Sequence, residues 1–158
     1  MDDNQRNNND PYDPTTYSMG IPSVNLDNYI PNHRIVHFDL KGAPPKIGYI
    51  KKVITLAKQL GATGLLLEYE DMFPFTGPLA SITAGNAYSK SDIEEILLFA
   101  KANELEVIPL VQTFGHVEFA LKHEKFADLR EVPESPQALC PSNNDSVRFI
   151  ETMIDQVC

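Results

Sequence analysis

At 158 residues and 42% hydrophobic content, the chain is the size of one ordinary domain, or part of one, with enough apolar material for a core. A net charge of -9 and a pI near 4.8 exclude nonspecific binding to nucleic acid or to an anionic membrane, and they leave a small neutral substrate as the compatible partner. Two cysteines, Cys140 and Cys158, fall far short of a disulfide framework and point to a reducing compartment. No stretch of about 7 apolar residues follows a basic N-terminal region, and none reaches about 18 residues, so neither a secretion signal nor a membrane span is expected.

Residues 1–32 are rich in Asp, Asn, Pro and Ser/Thr, a composition that cannot bury enough surface to offset chain entropy, and they are expected to form a disordered leader. Order is expected from residue 33 to residue 158. Arg34 to Leu40 reads as a strand, closed by Lys41-Gly42-Ala43-Pro44-Pro45. Ile50, Val53, Ile54, Ala57 and Leu60 then fall on one helical face, and Gly61 stops the helix. Gly64 to Glu70 predicts a second strand. A loop carrying Phe73, Phe75 and Tyr88 follows, its aromatics expected to anchor the loop or join the core. Ser89 and Asp92 have the spacing of a capping box at the head of a helix that buries Ile93, Ile96, Leu97 and Ala100.

Leu105 to Val111 is nearly continuous apolar sequence, as in a parallel strand buried on both faces. It ends in Gln112, Thr113, Gly115 and His116. A helix is expected from Val117 to about Leu129, and a loop around Pro133, Pro136 and Pro141. Ser142 or Asn144 is expected to cap a last helix that buries Phe149, Ile150, Met153, Ile154 and Val157. This βαβαβα alternation predicts an α/β fold with parallel strands. An open doubly wound sheet and a (β/α)8 barrel both fit the pattern. The lack of G-x-G-x-x-G and G-x-x-x-x-G-K-[ST] signatures favours the barrel.

The strand ends carry the candidate chemistry: Asp39 and Lys41 after the first, Glu68, Glu70 and Asp71 after the second, and Gln112, Thr113 and His116 after the third. Parallel strands bring such ends to one rim, where acids, a cation, an amide and an imidazole suit a polyhydroxylated ligand. On a strand the adjacent Glu70 and Asp71 would face opposite ways, which makes them poor partners across one scissile bond. The four histidines lack H-x-x-x-H and H-E-x-x-H spacing, no G-x-S-x-G occurs, and no metal or cofactor is expected.

Three blocks then suggest a family: His37-Phe38-Asp39-Leu40-Lys41-Gly42-Ala43-Pro44-Pro45, Leu67-Glu68-Tyr69-Glu70-Asp71-Met72-Phe73-Pro74, and Asn103 to His116. They resemble the N-terminal part of glycoside hydrolase family 20, in its intracellular, hexosaminidase D-like branch, over about Arg34 to Val157. The resemblance implies that residues 33–158 are the N-terminal portion of a (β/α)8 barrel. It implies a cytoplasmic or nuclear β-N-acetylhexosaminidase acting on N-acetylhexosamine-containing glycoconjugates. In such enzymes the substrate's acetamido oxygen attacks the anomeric carbon, and an Asp-Glu pair after strand four supplies the acid and orients the acetamido group. That pair is expected past Cys158, so the 158-residue chain alone should be inactive. His116 and Asp39, which match the family's motifs, together with Lys41, Glu70 and Gln112 from the strand ends, are the candidate substrate-binding residues. Gln112 and Phe114 depart from the Asp-Thr-Pro-Gly-His motif of many members, and Lys41 is the stand-in for a sugar-binding Arg. A noncatalytic carbohydrate- or partner-binding module, and an α/β hydrolase unrelated to sugars, are the rival readings.

Overall fold

Three short runs of alternating burial and two amphipathic helices decide the architecture of residues 29–158, which a computed structural model describes. The leader expected over residues 1–32 lies outside the described residues up to position 28. Everything below concerns the compact unit Asn32–Cys158. Its framework is a parallel sheet of β1 (Ile35–Asp39), β2 (Gly64–Glu68) and β3 (Glu106–Leu110), with β2 in the middle. The register aligns Val36, Leu65 and Val107, and two residues on Phe38, Leu67 and Pro109. These point to one face, because side chains alternate along a strand. His37, Leu66 and Ile108, then Asp39, Glu68 and Leu110, point to the other.

Helices α1 (Ile47–Gln59) and α2 (Lys90–Ala102) cover the first face. Ile50, Ile54 and Ala57 from α1, with Ile93, Ile96 and Ala100 from α2, pack on Leu65 and Leu67. Each fully buried aliphatic side chain here contributes about 1.5–3 kcal/mol. As expected, Gly61 ends α1, at φ +91°, and Ser89 with Asp92 closes a capping box on α2. Leu60 and Leu97, expected in the buried stripes, are exposed instead, Leu60 because it is the residue at which α1 terminates.

The second face of the sheet is open. His37, Asp39, Glu106 and Ile108 are exposed on it, and Leu66 and Glu68 are half-buried. The expectation that β3 is buried on both faces is therefore corrected: Val107 and Leu110 are half-buried and Ile108 is 38% exposed. Among the described residues β3 is an edge strand, and no second layer covers its inner side.

A second apolar cluster joins Phe75, Leu79 and Ile82 to Phe119, Leu121, Phe126, Phe149 and Met153. The helix expected over Val117–Leu129 is broken into α3 (Glu118–Leu121) and a 3-10 turn over Glu124–Leu129. The expected proline loop is an antiparallel hairpin of β4 (Arg130–Val132) and β5 (Ser135–Leu139). The other side of β5 pairs with Phe114 to Val117 through the Gly115–Ala138 bridge, and Pro136 lies ahead of that bridge, where its missing N–H is tolerated. Helix α4 (Asn144–Val157) is capped by Asn143, whose side chain accepts from the Asp145 N–H at 2.9 Å, and not by Ser142 or Asn144. Phe149 and Met153 are buried beneath it, Ile150 and Val157 are half-buried, and Ile154 is exposed. The loop aromatics act as anchors: Phe75 and Tyr88 are buried, and the Tyr88 hydroxyl donates to the Pro45 carbonyl at 2.6 Å. No described helix is long and apolar enough to cross a membrane.

Candidate functional site

Parallel strands in register deliver their carboxyl ends side by side, and the polar groups there form one connected network. Glu68, the last residue of β2, is its pivot. The Gln112 side-chain N–H2 donates to Glu68 Oε1 at 2.7 Å, and His37 Nε2 lies 2.8 Å from Glu68 Oε2. One residue from each strand or its end is thereby tied to the middle one, and both carboxylate oxygens are occupied. Gln112 is buried, whereas His37 is half open on the inner face.

The strand expected to run through Glu70 ends at Glu68 instead. Glu70–Met72 forms a 3-10 turn in which Glu70 has a φ of +46°, a conformation that costs a non-glycine residue about 1–2 kcal/mol. The turn buries both acids and sends them to different lysines. Glu70 pairs with Lys41 at 2.9 Å, and Asp71 pairs with Lys122 at 2.9 Å. The two acids do not flank one bond, although the reason is this turn and not strand alternation.

Carboxylate oxygens of Asp39, Glu68 and Glu70 all lie within 4.8 Å of one another. Such a trio is close enough to share a cation, and the Lys41 ammonium already sits at it. Lys41 also reaches Glu118 at 3.4 Å, bridging the β1 end, the β2 end and the start of α3. Burial is the strongest influence on Glu70 and raises its carboxyl above the usual range despite Lys41; Glu68 and Asp39 add to the rise. The hydrogen bond to Glu70 in turn raises Lys41, against burial. Burial also pushes the Glu118 carboxyl up, but its own backbone N–H, Lys41 and His116 outweigh this and hold it low.

Of the sequence-predicted residues, Asp39, Lys41, Glu70 and Gln112 meet directly or through Glu68. His116 takes part in none of these hydrogen bonds or ion pairs; it is exposed two residues before Glu118, in the left-handed region at φ +54°. Two of the three non-glycine residues with positive φ among those described, Glu70 and His116, thus stand at this rim, where backbone strain tends to concentrate around function. Sequence reasoning passed over His37, Glu118 and Lys122. The alternation His37-x-Asp39 would have placed His37 on the inner face, but nothing in the sequence links Glu118 to a lysine 77 residues away.

The catalytic-domain pattern of glycosyl hydrolase family 20 matches residues 52–158. Hexosaminidase D from Homo sapiens is 59% identical over 124 residues, which is 78% of this chain and 26% of that protein. Hexosaminidase D from Bos taurus is 57% identical over 124 residues, 78% of this chain and 36% of that protein. The chain therefore spans roughly a quarter to a third of the curated relatives it matches. A mutant Streptomyces plicatus β-hexosaminidase in complex with product N-acetylglucosamine superposes with a TM-score of 0.60 at 20% identity, over 78% of this chain and 29% of that one. The Flavobacterium johnsoniae chitobiase gives a TM-score of 0.65 at 15% identity, over 80% of this chain and 21% of that one. The parallel βα units are thus part of a (β/α)8 barrel, and their open face is the side of the sheet that such a barrel encloses. With a family match over most of its length and these relatives alongside, the chain belongs to glycosyl hydrolase family 20.

Proposed function

We propose that this chain supplies the first three βα units of a β-N-acetylhexosaminidase, residues 33–158 being the beginning of its catalytic barrel. The complete protein removes terminal N-acetylgalactosamine or N-acetylglucosamine from glycoconjugates by retaining, substrate-assisted hydrolysis. The observation that carries this reading is the convergence of Asp39, Lys41, Glu70 and, through Glu68, Gln112 on one rim. In this reading Asp39 and Glu70 accept hydrogen bonds from sugar hydroxyls and the Lys41 ammonium donates to them. His116 closes the β3 side, and the buried Gln112 acts from behind by fixing Glu68. Two cysteines without a disulfide suit the cytoplasmic or nuclear setting of this reading.

No Asp-Glu dipeptide occurs in the 158 residues, so the groups that protonate the leaving oxygen and orient the acetamido group come from outside this stretch. The chain itself binds and does not turn over. A noncatalytic carbohydrate-binding role uses the same contacts and is favoured by that same lack of an acid pair. Assay of the purified chain on an aryl N-acetyl-β-hexosaminide, beside ligand-observed saturation transfer from the chain to N-acetylglucosamine, tests both statements. Saturation transfer without turnover is expected. Turnover above a heat-treated control overturns the assignment of the acid pair, and no transfer to the sugar overturns the site.

A further inference from the structure

Residues 41–45 join β1 to α1, and the stretch of chain between β2 and α2 grips this loop from end to end. Glu70 takes the Lys41 ammonium at 2.9 Å, the Asn86 side-chain N–H2 donates to the Gly42 carbonyl at 3.0 Å, and the Tyr88 hydroxyl donates to the Pro45 carbonyl at 2.6 Å. Within the loop the Lys41 N–H donates to Asp39 Oδ1 at 3.1 Å, and Gly42 turns the backbone at φ +79°. The two bonds to loop carbonyls differ in kind. Tyr88 is buried in the core under the first face of the sheet, so its bond belongs to packing and to the start of α1. Asn86 and Gly42 are both exposed, where water readily replaces a lost partner, and their bond adds little to global stability. What it fixes is the direction of the backbone one residue beyond Lys41.

We propose that Asn86 is a positioning residue for sugar binding: through the Gly42 carbonyl it holds the β1–α1 loop so that the Lys41 ammonium stands ready for a sugar hydroxyl. The inference rests on the carbohydrate reading given above and adds to it a residue that acts on the ligand only through Lys41. A lysine ammonium is a point charge on a flexible aliphatic stem. Where it stands depends on the acid that anchors it and on the backbone from which the stem springs; Glu70 supplies the first and Asn86 the second. With both in place the cation is set before a ligand arrives, and less ordering is left for binding to do. Gly42 has no neighbouring atom within 4 Å of where a Cβ would stand and no side chain of its own to restrict it. Once the Asn86 donor is lost, the loop is free to leave φ +79° and to carry Lys41 with it.

The test compares Asn86→Ala and the similarly sized, neutral Asn86→Leu, which both lose the donor, with Asn86→Gln, which keeps it, and with Tyr88→Phe, which frees the far end of the same loop. On the 158-residue chain it reads the melting temperature, the affinity for N-acetylglucosamine by ligand-observed saturation transfer, and the Lys41 side-chain titration by NMR. The hydrogen bond to Glu70 raises Lys41 above its usual value against burial, so a fall toward that value reports a displaced ammonium. Asn86→Ala and Asn86→Leu should weaken the sugar about fivefold and lower the Lys41 value, with the melting temperature moved by no more than about 1 °C. Asn86→Gln should recover most of the affinity. Tyr88→Phe should lower the melting temperature and leave sugar affinity and the Lys41 titration as in the parent. Parental affinity and a parental Lys41 titration in both donorless variants overturn the inference and leave the carbohydrate site standing. Weaker binding with an unchanged Lys41 titration also overturns it, since Asn86 then touches the sugar itself. No binding by the parent chain removes the carbohydrate reading and the role of Asn86 in it together.

Discussion

Replacing Gln112 with leucine tests whether Glu68 is the pivot that joins the three strand ends. The substitution keeps the volume of a buried side chain and deletes one donor, the N–H2 that sits 2.7 Å from Glu68 Oε1. A hydrogen bond to a charged acceptor is worth about 1.5–3 kcal/mol. The Glu68 side chain retains 16% exposure, so water partly replaces the lost donor and the lower end applies, about 1.5 kcal/mol. With a urea m-value of about 1.5 kcal/mol/M, the unfolding midpoint should fall by roughly 1 M. The double-mutant cycle is the sharper part of the test: in a Glu68→Leu background the same Gln112→Leu change should cost almost nothing, because neither partner is left unpaired. A midpoint shift below roughly 0.3 M, or an equal loss in both backgrounds, would refute the pivot, given the usual accuracy of such extrapolations.

Other substitutions probe the same frame. Glu70→Gln should leave the chain at least as stable as the parent at pH 7, because burial disfavours the charged form enough to raise the carboxyl despite Lys41. A raised acid weakens the fold once ionised, so the variant's advantage should be present above the raised folded value and vanish below the unfolded one, as seen by comparing melting temperatures at pH 7 and pH 4; equal destabilisation at both would contradict this. Glu104→Gly, at the φ +55° position just after α2, should raise the melting temperature by several degrees, corresponding to about 1 kcal/mol of relieved strain. Gly64→Ala should destabilise by about 1–3 kcal/mol in urea unfolding, since its Cβ would lie 2.9 Å from the Glu106 carbonyl oxygen of β3, a backbone atom that cannot yield without disturbing the sheet.

How far the sequence reveals this molecule depends on whether the determining forces are local. The βα alternation and the Ser89–Asp92 capping box are written in short-range patterns, and both appear where the pattern puts them. The run Gly64 to Glu70 misleads because its composition continues as strand while the backbone turns left-handed at Glu70, which no propensity signals. The β4–β5 hairpin is hidden by Pro133 and Pro136, which read as loop because proline is poor strand material except at an edge. The inner face of β3 looks like core because apolar residues there await a second layer, and hydrophobicity alone does not say which layer is present. At the candidate site, strand ends single out Asp39, Lys41, Glu70, Gln112 and His116, the proposed sugar-binding residues. Glu118 and Lys122 enter only through tertiary contacts spanning 77 and 51 residues.

Mapping backbone amide shifts in the 158-residue chain during titration with N-acetylgalactosamine tests the central claim most directly. The account predicts perturbations gathered at Asp39 to Lys41, Glu68 to Glu70, Gln112 and His116 to Glu118. Perturbations centred instead on the groove between Leu79, Phe126 and Arg148, or on the pocket beside Phe114, Val147 and Ile150, would contradict it.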